Sequence, residues 1–178
     1  MPEIKKILCA TDLSKNSAYA FTYATDMAEK YNALIHIIHV LAKIPSDARV
    51  QVEMYMTEEQ LERLTNRQTN IKEKIRERLN IFCDNVRKED PKCVFRVAGI
   101  DIVEGHPAIE ILDAAKKTQS DAIVMGTHGH GLISQALLGS VAEKVLRRAK
   151  IPVFVIPIPE DESSVKVQDI YTRAGGIL

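Results

Sequence analysis

An excess of either charge is missing from this chain: 24 Lys and Arg stand against 24 Asp and Glu in 178 residues. That balance gives no global field for nucleic acid or an anionic membrane, so any anion has to be held locally. Long apolar runs are also missing, none approaching the roughly 20 residues of a membrane span. Met1-Pro2-Glu3-Ile4-Lys5-Lys6 leads straight towards a strand without a signal-peptide core. Cysteine is scarce, and Cys9, Cys83 and Cys93 are an odd, widely spaced set that matches neither a disulfide framework nor a zinc signature. They read as buried thiols of a soluble protein in a reducing cytoplasm. A chain of this length is most simply one domain, able to bury about 70% of the surface it exposes when unfolded, with no staple required.

Two familiar phosphate motifs are absent as well. A Walker A loop, G-x-x-x-x-G-K-S/T, would need a lysine before Ser140, where Gly139 stands. A dinucleotide fingerprint fails because Gly129-His130-Gly131 is followed by Ser134 where the third glycine belongs. These two gaps remove P-loop NTPases and classical dehydrogenases from consideration.

What is present is Met125-Gly126-Thr127-His128-Gly129, with Gly139-Ser140 downstream. Asp121-Ala122-Ile123-Val124-Met125 has the two-sided apolar pattern of a central parallel strand. Gly126 and Gly129 allow a sharp turn and a close backbone approach to a ligand. Ser140 is expected to cap the next helix, whose free N–H groups and positive dipole end favour an anion.

The rest of the chain alternates. Ile4 to Ala10 reads as a first strand, broken by Thr11-Asp12-Leu13-Ser14. Ala18, Phe21, Ala24, Thr25 and Ala28 mark a helix that Asn32 stops in the left-handed conformation. Leu34 to Val40 is a second strand, with His36 and His39 on opposite faces, and a long loop follows over about 41–56. Thr57-Glu58-Glu59-Gln60 has capping-box form. From there Leu61, Leu64, Ile71, Ile75, Leu79, Phe82 and Val86 trace a helix that the polar patch Thr65 to Asn70 could interrupt.

Val94 to Val103 is a third strand with a bend at Gly99, and Gly105-His106-Pro107 opens a helix with Ile109, Leu112 and Ala115 facing inward. The last helix runs from about Ser140 to Ala149, with Val141, Val145 and Leu146 inward, and Val153 to Ile156 is a fifth strand. The tail 158–178 has no sustained periodicity and reads as flexible or surface-packed.

Five strands alternating with four helices predict an α/β fold: one doubly wound, Rossmann-like parallel sheet with helices on both faces. In the order 3-2-1-4-5 the ligand crevice lies between strands 1 and 4, at Asp12 and Gly126. A response regulator would need a lysine after strand 5, where Ile158, Pro159 and Glu160 stand. A flavodoxin would need its phosphate loop after strand 1, yet Thr11 to Ser17 contains no glycine.

The glycine spacing G-x2-G-x9-G-S/T, met by Gly126, Gly129, Gly139 and Ser140, resembles the nucleotide-binding branch of the universal stress protein family, in the adenine nucleotide alpha hydrolase-like group. The likeness runs from Ile4 to Ile156 and includes Ala10-Thr11-Asp12, Val40 and Gly105-His106-Pro107, within a domain of about 1–157. The resemblance implies ATP or AMP as ligand, with any magnesium (Mg) held through the phosphates. By it Asp12, with Ala10 and Thr11 beside it, holds the adenosine part, and Val40 meets adenine through its main chain. Met125, Gly126, Thr127, His128 and Gly129 line ribose and α-phosphate, while Gly139, Ser140 and Val141 take the outer phosphates. It also implies a homodimer joined along the strand Val153–Ile156, an apolar edge open to pairing with its copy.

His128 and His130 are too sparse for a metal site and read as donors to phosphate or backbone. His36 and His39 read as satisfied structural residues, and His106 as a solvent-facing or locally bonded residue. Residues 126–141 contain no Lys or Arg to clamp a transferring phosphoryl group, so holding ATP is favoured over rapid turnover. The function expected is a nucleotide-dependent stress or signalling module. The alternatives are a slow ATP hydrolase and a dimeric scaffold that binds no nucleotide.

Overall fold

The apolar strand segments pair side by side, each in parallel with its neighbours, because every connection between them carries a helix across a face of the sheet. The computed structural model describes residues 3–43, 54–89, 96–128 and 138–157. The elements are β1 Lys6–Thr11, α1 Lys15–Tyr31, β2 Leu34–Ala42, α2 Glu58–Glu89, β3 Arg96–Gly105, α3 Pro107–Thr118, β4 Ala122–Gly126, α4 Ser140–Arg148 and β5 Val153–Ile156. The sheet order is β3-β2-β1-β4-β5, the order assumed in placing the crevice. The tail 158–178 lies outside the described residues.

Period-two alternation divides the core into two layers. Ile7 and Cys9 on β1, Ile35 and Ile37 on β2, and Val124 on β4 pack with Phe21 and Ala24 of α1 and Leu79, Phe82 and Cys83 of α2. Their sequence neighbours Leu8, Ala10, Ile38, Ile123 and Met125 pack on the other side with Ala108, Ile111 and Ala115 of α3 and Val145 of α4. Phe21 and Phe82 meet edge to face with centroids 5.4 Å apart, an arrangement suited to the aromatic quadrupole. Burial pushes the Cys9 and Cys83 thiols up to about 12, so both stay protonated and inert at neutral pH. Cys93 lies outside the described residues.

The helix boundaries follow local chemistry. Ser14 caps α1 by accepting from Ser17 N, and Asn32 ends the helix at φ 51°, ψ 41°, its N–H returning to Ala28 O and Glu29 O. Thr57 and Gln60 complete the expected capping box, with Thr57 N donating to Gln60 Oε1 at 2.9 Å and Gln60 N to Thr57 Oγ1 at 3.3 Å. The patch Thr65 to Asn70 does not interrupt α2. Thr65 and Thr69 donate their hydroxyls to the carbonyls of Leu61 and Thr65, four residues back, and so satisfy themselves without breaking the ladder.

Several inward assignments need correction. Leu64 and Ile71 are exposed, because only the later part of the 32-residue α2, from Ile75 to Val86, is buried against the sheet side. Ile109 and Leu146 also face solvent, while Ala108 and Ala142 take the buried positions. A seat close to the sheet admits an alanine where a longer side chain would overpack. The second strand runs past Val40 to Ala42, because β3 continues to Gly105 and pairs Leu41 with Glu104 and Ala42 with Gly105. The expected loop therefore starts later, and its residues 44–53 are outside the described part. The bend at Gly99 is a bulge, with Val97 opposite Ile35 and Gly99 opposite His36, leaving Ala98 as the extra residue.

Candidate functional site

Strands β1 and β4 are neighbours whose following helices leave on opposite faces, α1 towards one core layer and α4 towards the other. A crevice must therefore open beyond their carboxyl ends, where the winding reverses. A cavity of about 320 Å³ lies there. Its lining includes Ala10, Thr11 and Asp12 from the end of β1, Val40 from β2, and Met125, Gly126, Thr127 and His128 from β4 and the turn after it. Ser140 and Val141 from the start of α4 complete the expected set. Of the remaining expected residues, Gly139 lies directly behind Thr127, and Gly129 is outside the described residues, as is His130.

Each wall has a local cause. Asp12 Oδ1 accepts from both the backbone N–H (3.0 Å) and the hydroxyl of Ser14, an Asx turn that holds the carboxylate at the mouth of the cavity. The turn forces Leu13 to φ 67°, costly by about 1–3 kcal/mol for a bulky residue. Burial of the Leu13 side chain and the bond from Leu13 N to Thr11 Oγ1 at 3.0 Å hold it there. Thr11 is fixed further by Ser17 Oγ at 2.9 Å and by His39, whose Nδ1 donates to Thr11 O at 2.9 Å.

The other wall is the link from β4 to α4. Thr127 N donates to Ile156 O at 3.1 Å, and Gly139 N donates to Thr127 O at 2.9 Å, so the residue after β4 is tied both to β5 and to the residue that opens α4. Gly139, not Ser140, is the N-cap residue of α4, and it makes no side-chain cap bond. Ser140 is the first helical residue, past the cap position, and it lines the cavity. Packing behind the loop also constrains the two glycines. A Cβ at Gly126 would stand 3.0–3.2 Å from Cγ, Oδ1 and Nδ2 of Asn16, and one at Gly139 would stand 2.8 Å from Thr127 O. At Gly139 the obstacle is backbone and leaves no room for a side chain, whereas at Gly126 the Asn16 amide would have to give by a few tenths of an ångström.

Sequence reasoning missed Ile38, Pro107, Ile111, Ser17 and Ala142, which also line the cavity. Ile38 was recoverable, since it lies two residues before Val40 and so on the same face of β2. Pro107 and Ile111 come from the start of α3, and their presence depends on how closely that helix sits over the sheet. The floor made by Ile38, Val40, Ile111, Met125 and Val141 is apolar and suits a flat ring. The rim of hydroxyls, backbone groups and a helix N-terminus suits an anion or a polyol. Asp12 is the sole carboxylate among the described lining residues, and none of them is Lys or Arg.

His36 is held by Asp101, Nε2 to Oδ2 at 3.0 Å, away from the cavity lining, and His106 is an exposed N-cap residue of α3 without a side-chain cap bond. His128 places Nδ1 3.0 Å from Thr127 Oγ1. Among the described residues no group of three or more His, Cys, Asp or Glu could hold a metal ion, and no helix is long and apolar enough to cross a membrane.

Fold and cavity together define a doubly wound α/β protein with a small-ligand crevice at its topological switch point. The profile of the Universal stress protein family matches residues 3–157, and the chain belongs to that family. It is 33% identical over 163 residues to a universal stress protein of Methanocaldococcus jannaschii, covering 89% of this chain and 85% of that one. A universal stress protein of Thermus aquaticus is 30% identical over 152 residues, covering 85% and 98%. The solved structure of a second M. jannaschii universal stress protein superposes with a TM-score of 0.63 at 27% identity, covering 88% of this chain and 98% of that chain.

Proposed function

We propose that this universal stress protein binds an adenine nucleotide, ATP or AMP, in the crevice between β1 and β4, and serves as a nucleotide-dependent stress or signalling module of the cytoplasm. The observation that carries this reading is the pairing, in one cavity of about 320 Å³, of an apolar floor with a donor-rich rim at the start of α4. Adenine fits the floor beside Val40 and Ile38. The Asp12 carboxylate suits ribose hydroxyls or an exocyclic amine and would repel phosphate. Thr127, His128, Gly139, Ser140 and Val141 offer hydroxyl, imidazole and backbone groups to the phosphates, with Gly129 belonging to the same loop by its place in the sequence. Magnesium, where present, would be carried by the nucleotide's phosphates.

Holding is favoured over turnover for a chemical reason. Phosphoryl transfer needs charge clamps on the transferred group, and the described lining supplies no Lys or Arg. We assign the nucleotide-binding unit to 1–157 and self-association to the apolar strand β5. Mass spectrometry of small molecules released from the purified protein, followed by calorimetry with ATP and AMP, tests the central claim. Release or binding of either nucleotide is the expected result, and failure of both removes it. Sustained product release from radiolabelled ATP above about 1 per second, the low end of ordinary enzymes, would replace the holding role by hydrolysis.

A further inference from the structure

Asn16 is in the first turn of α1, more than nine-tenths buried, and absent from the cavity lining. Its carboxamide crosses from α1 to the opposite wall of the site. Nδ2 donates to His128 O at 2.8 Å and lies 3.4 Å from Thr127 Oγ1. The reverse orientation of the amide would place oxygen against the His128 carbonyl, so the donor assignment follows from the acceptor it meets. Oδ1 is buried with no hydrogen-bond partner among the described residues. A buried acceptor left in that state is costly, which calls for a reason.

The reason lies in Gly126. The point where its Cβ would stand is 3.0 Å from Cγ, 3.1 Å from Oδ1 and 3.2 Å from Nδ2 of Asn16. Near-equal distances to three atoms of one planar group mean that the amide lies flat against the glycine. Oδ1 is held there by packing instead of by a conventional donor. The amide thus spans the turn from Gly126 to His128, touching its start through packing and its end through a hydrogen bond. Thr127 is in turn bonded to Gly139 at the head of α4.

We propose that Asn16 is the positioning residue of the nucleotide site: without touching ligand, it sets the backbone of residues 126–128 and, through Thr127, the placement of the α4 N-terminus. The inference rests on the nucleotide reading above for its effect on affinity, and on the loop itself for its effect on structure. A loop held within a fraction of an ångström by such support binds without a reorganisation cost, and one released from it does not.

The test uses the full chain, AMP and uncharged adenosine as probes in calorimetry, unfolding midpoints, and amide NMR shifts of residues 126–128. Asn16→Ala should weaken AMP at least tenfold in protein that remains folded. Asn16→Asp, nearly identical in shape, should weaken AMP and adenosine at least as much, because a carboxylate cannot donate to His128 O. Space-filling alone would instead leave Asn16→Asp close to wild type and make Asn16→Ala the worse variant. Gly126→Ala should weaken AMP in the parent protein yet add little in the Asn16→Ala background, where the space beneath the new methyl is empty.

In both Asn16 variants the amide resonances of Gly126, Thr127 and His128 should move while those of β2 and β3 stay. Binding within twofold of wild type for folded Asn16→Asp, or additive effects in the Asn16 and Gly126 pair, would overturn the proposal. If Asn16→Ala does not fold, the Asp variant decides alone. If the parent protein binds neither AMP, ATP nor adenosine, the nucleotide reading fails, and the amide shifts of the ligand-free variants still decide whether Asn16 positions the loop: unchanged shifts would refute it.

Discussion

The two edges of the sheet are built differently. At the β3 edge, Arg76 of α2 donates Nη1 to Ile100 O at 2.7 Å, Lys72 pairs with Glu104 at 2.8 Å, and a bulge at Ala98 and Gly99 breaks the regular ladder. At the other edge β5 is four uncharged residues, Val153 to Ile156, with Phe154 37% exposed, and among the described residues no strand lies beyond it. Open strand edges template further pairing, and charge, bulges and covering helices are the devices that prevent it. One edge carries all three. The contrast supports β5 as the face where two copies would join, and it gives α2 a duty beyond crossing the sheet.

The comparison breaks most sharply at Phe154. If two copies pair through β5 as proposed, Phe154→Lys should shift that association towards monomer in sedimentation equilibrium by about 2 kcal/mol, the scale of losing one interface aromatic and burying a charge. A parent protein that stays monomeric at high concentration would end the idea that β5 pairs.

At the guarded edge, Arg76→Ala should lower the unfolding free energy by about 1 kcal/mol, the worth of a charge-assisted bond discounted for exposure. It should also raise concentration-dependent aggregation, measured by light scattering, since Ile100 O loses its cover. No change in scattering would mean that the bulge alone suffices. The smallest effect is expected for Lys72 and Glu104, where a double-mutant cycle should give about 0.5 kcal/mol, because Lys72 is 39% exposed. A coupling of 2 kcal/mol or more would show that α2 is anchored mainly by charge, contrary to the apolar packing of Leu79 and Phe82.

The elements differ in how legible they were. The stripe of α1, its Asn32 stop and the capping box at Thr57 depend on contacts within a few residues, and periodicity and capping chemistry report those directly. The parallel sheet followed from alternation and crossover handedness, whereas the order 3-2-1-4-5 was an assumption that the structure bears out. Boundaries set by a partner strand were less visible: β2 runs on to Ala42 only because β3 is there to pair with it. Ile109 and Leu146 look inward by spacing and point outward because the helices sit close enough to prefer alanine at the contact.

At the crevice, Asp12 and the Met125–His128 stretch could be found from strand ends and glycine spacing, and Val40 through the family resemblance. Ser140 was placed correctly on the cavity and given the wrong local job, since the cap position belongs to Gly139. Asn16 carries no signal in the chain. A lone asparagine in a first helical turn looks like any solvent-facing polar side chain until its amide is seen against residues more than a hundred positions away.

What the amino-acid sequence determined by itself is the alternation of strands and helices, the two-sided burial of the central strands and the place of the crevice. These arise from period, local capping and the handedness of crossovers. What only the tertiary structure decided is what packs behind Gly126 and Gly139, which residues face inward on α3 and α4, and which edge is left open. Those outcomes depend on distances between elements remote in sequence. Close packing makes them sensitive to a single methyl group, a scale that no spacing rule resolves.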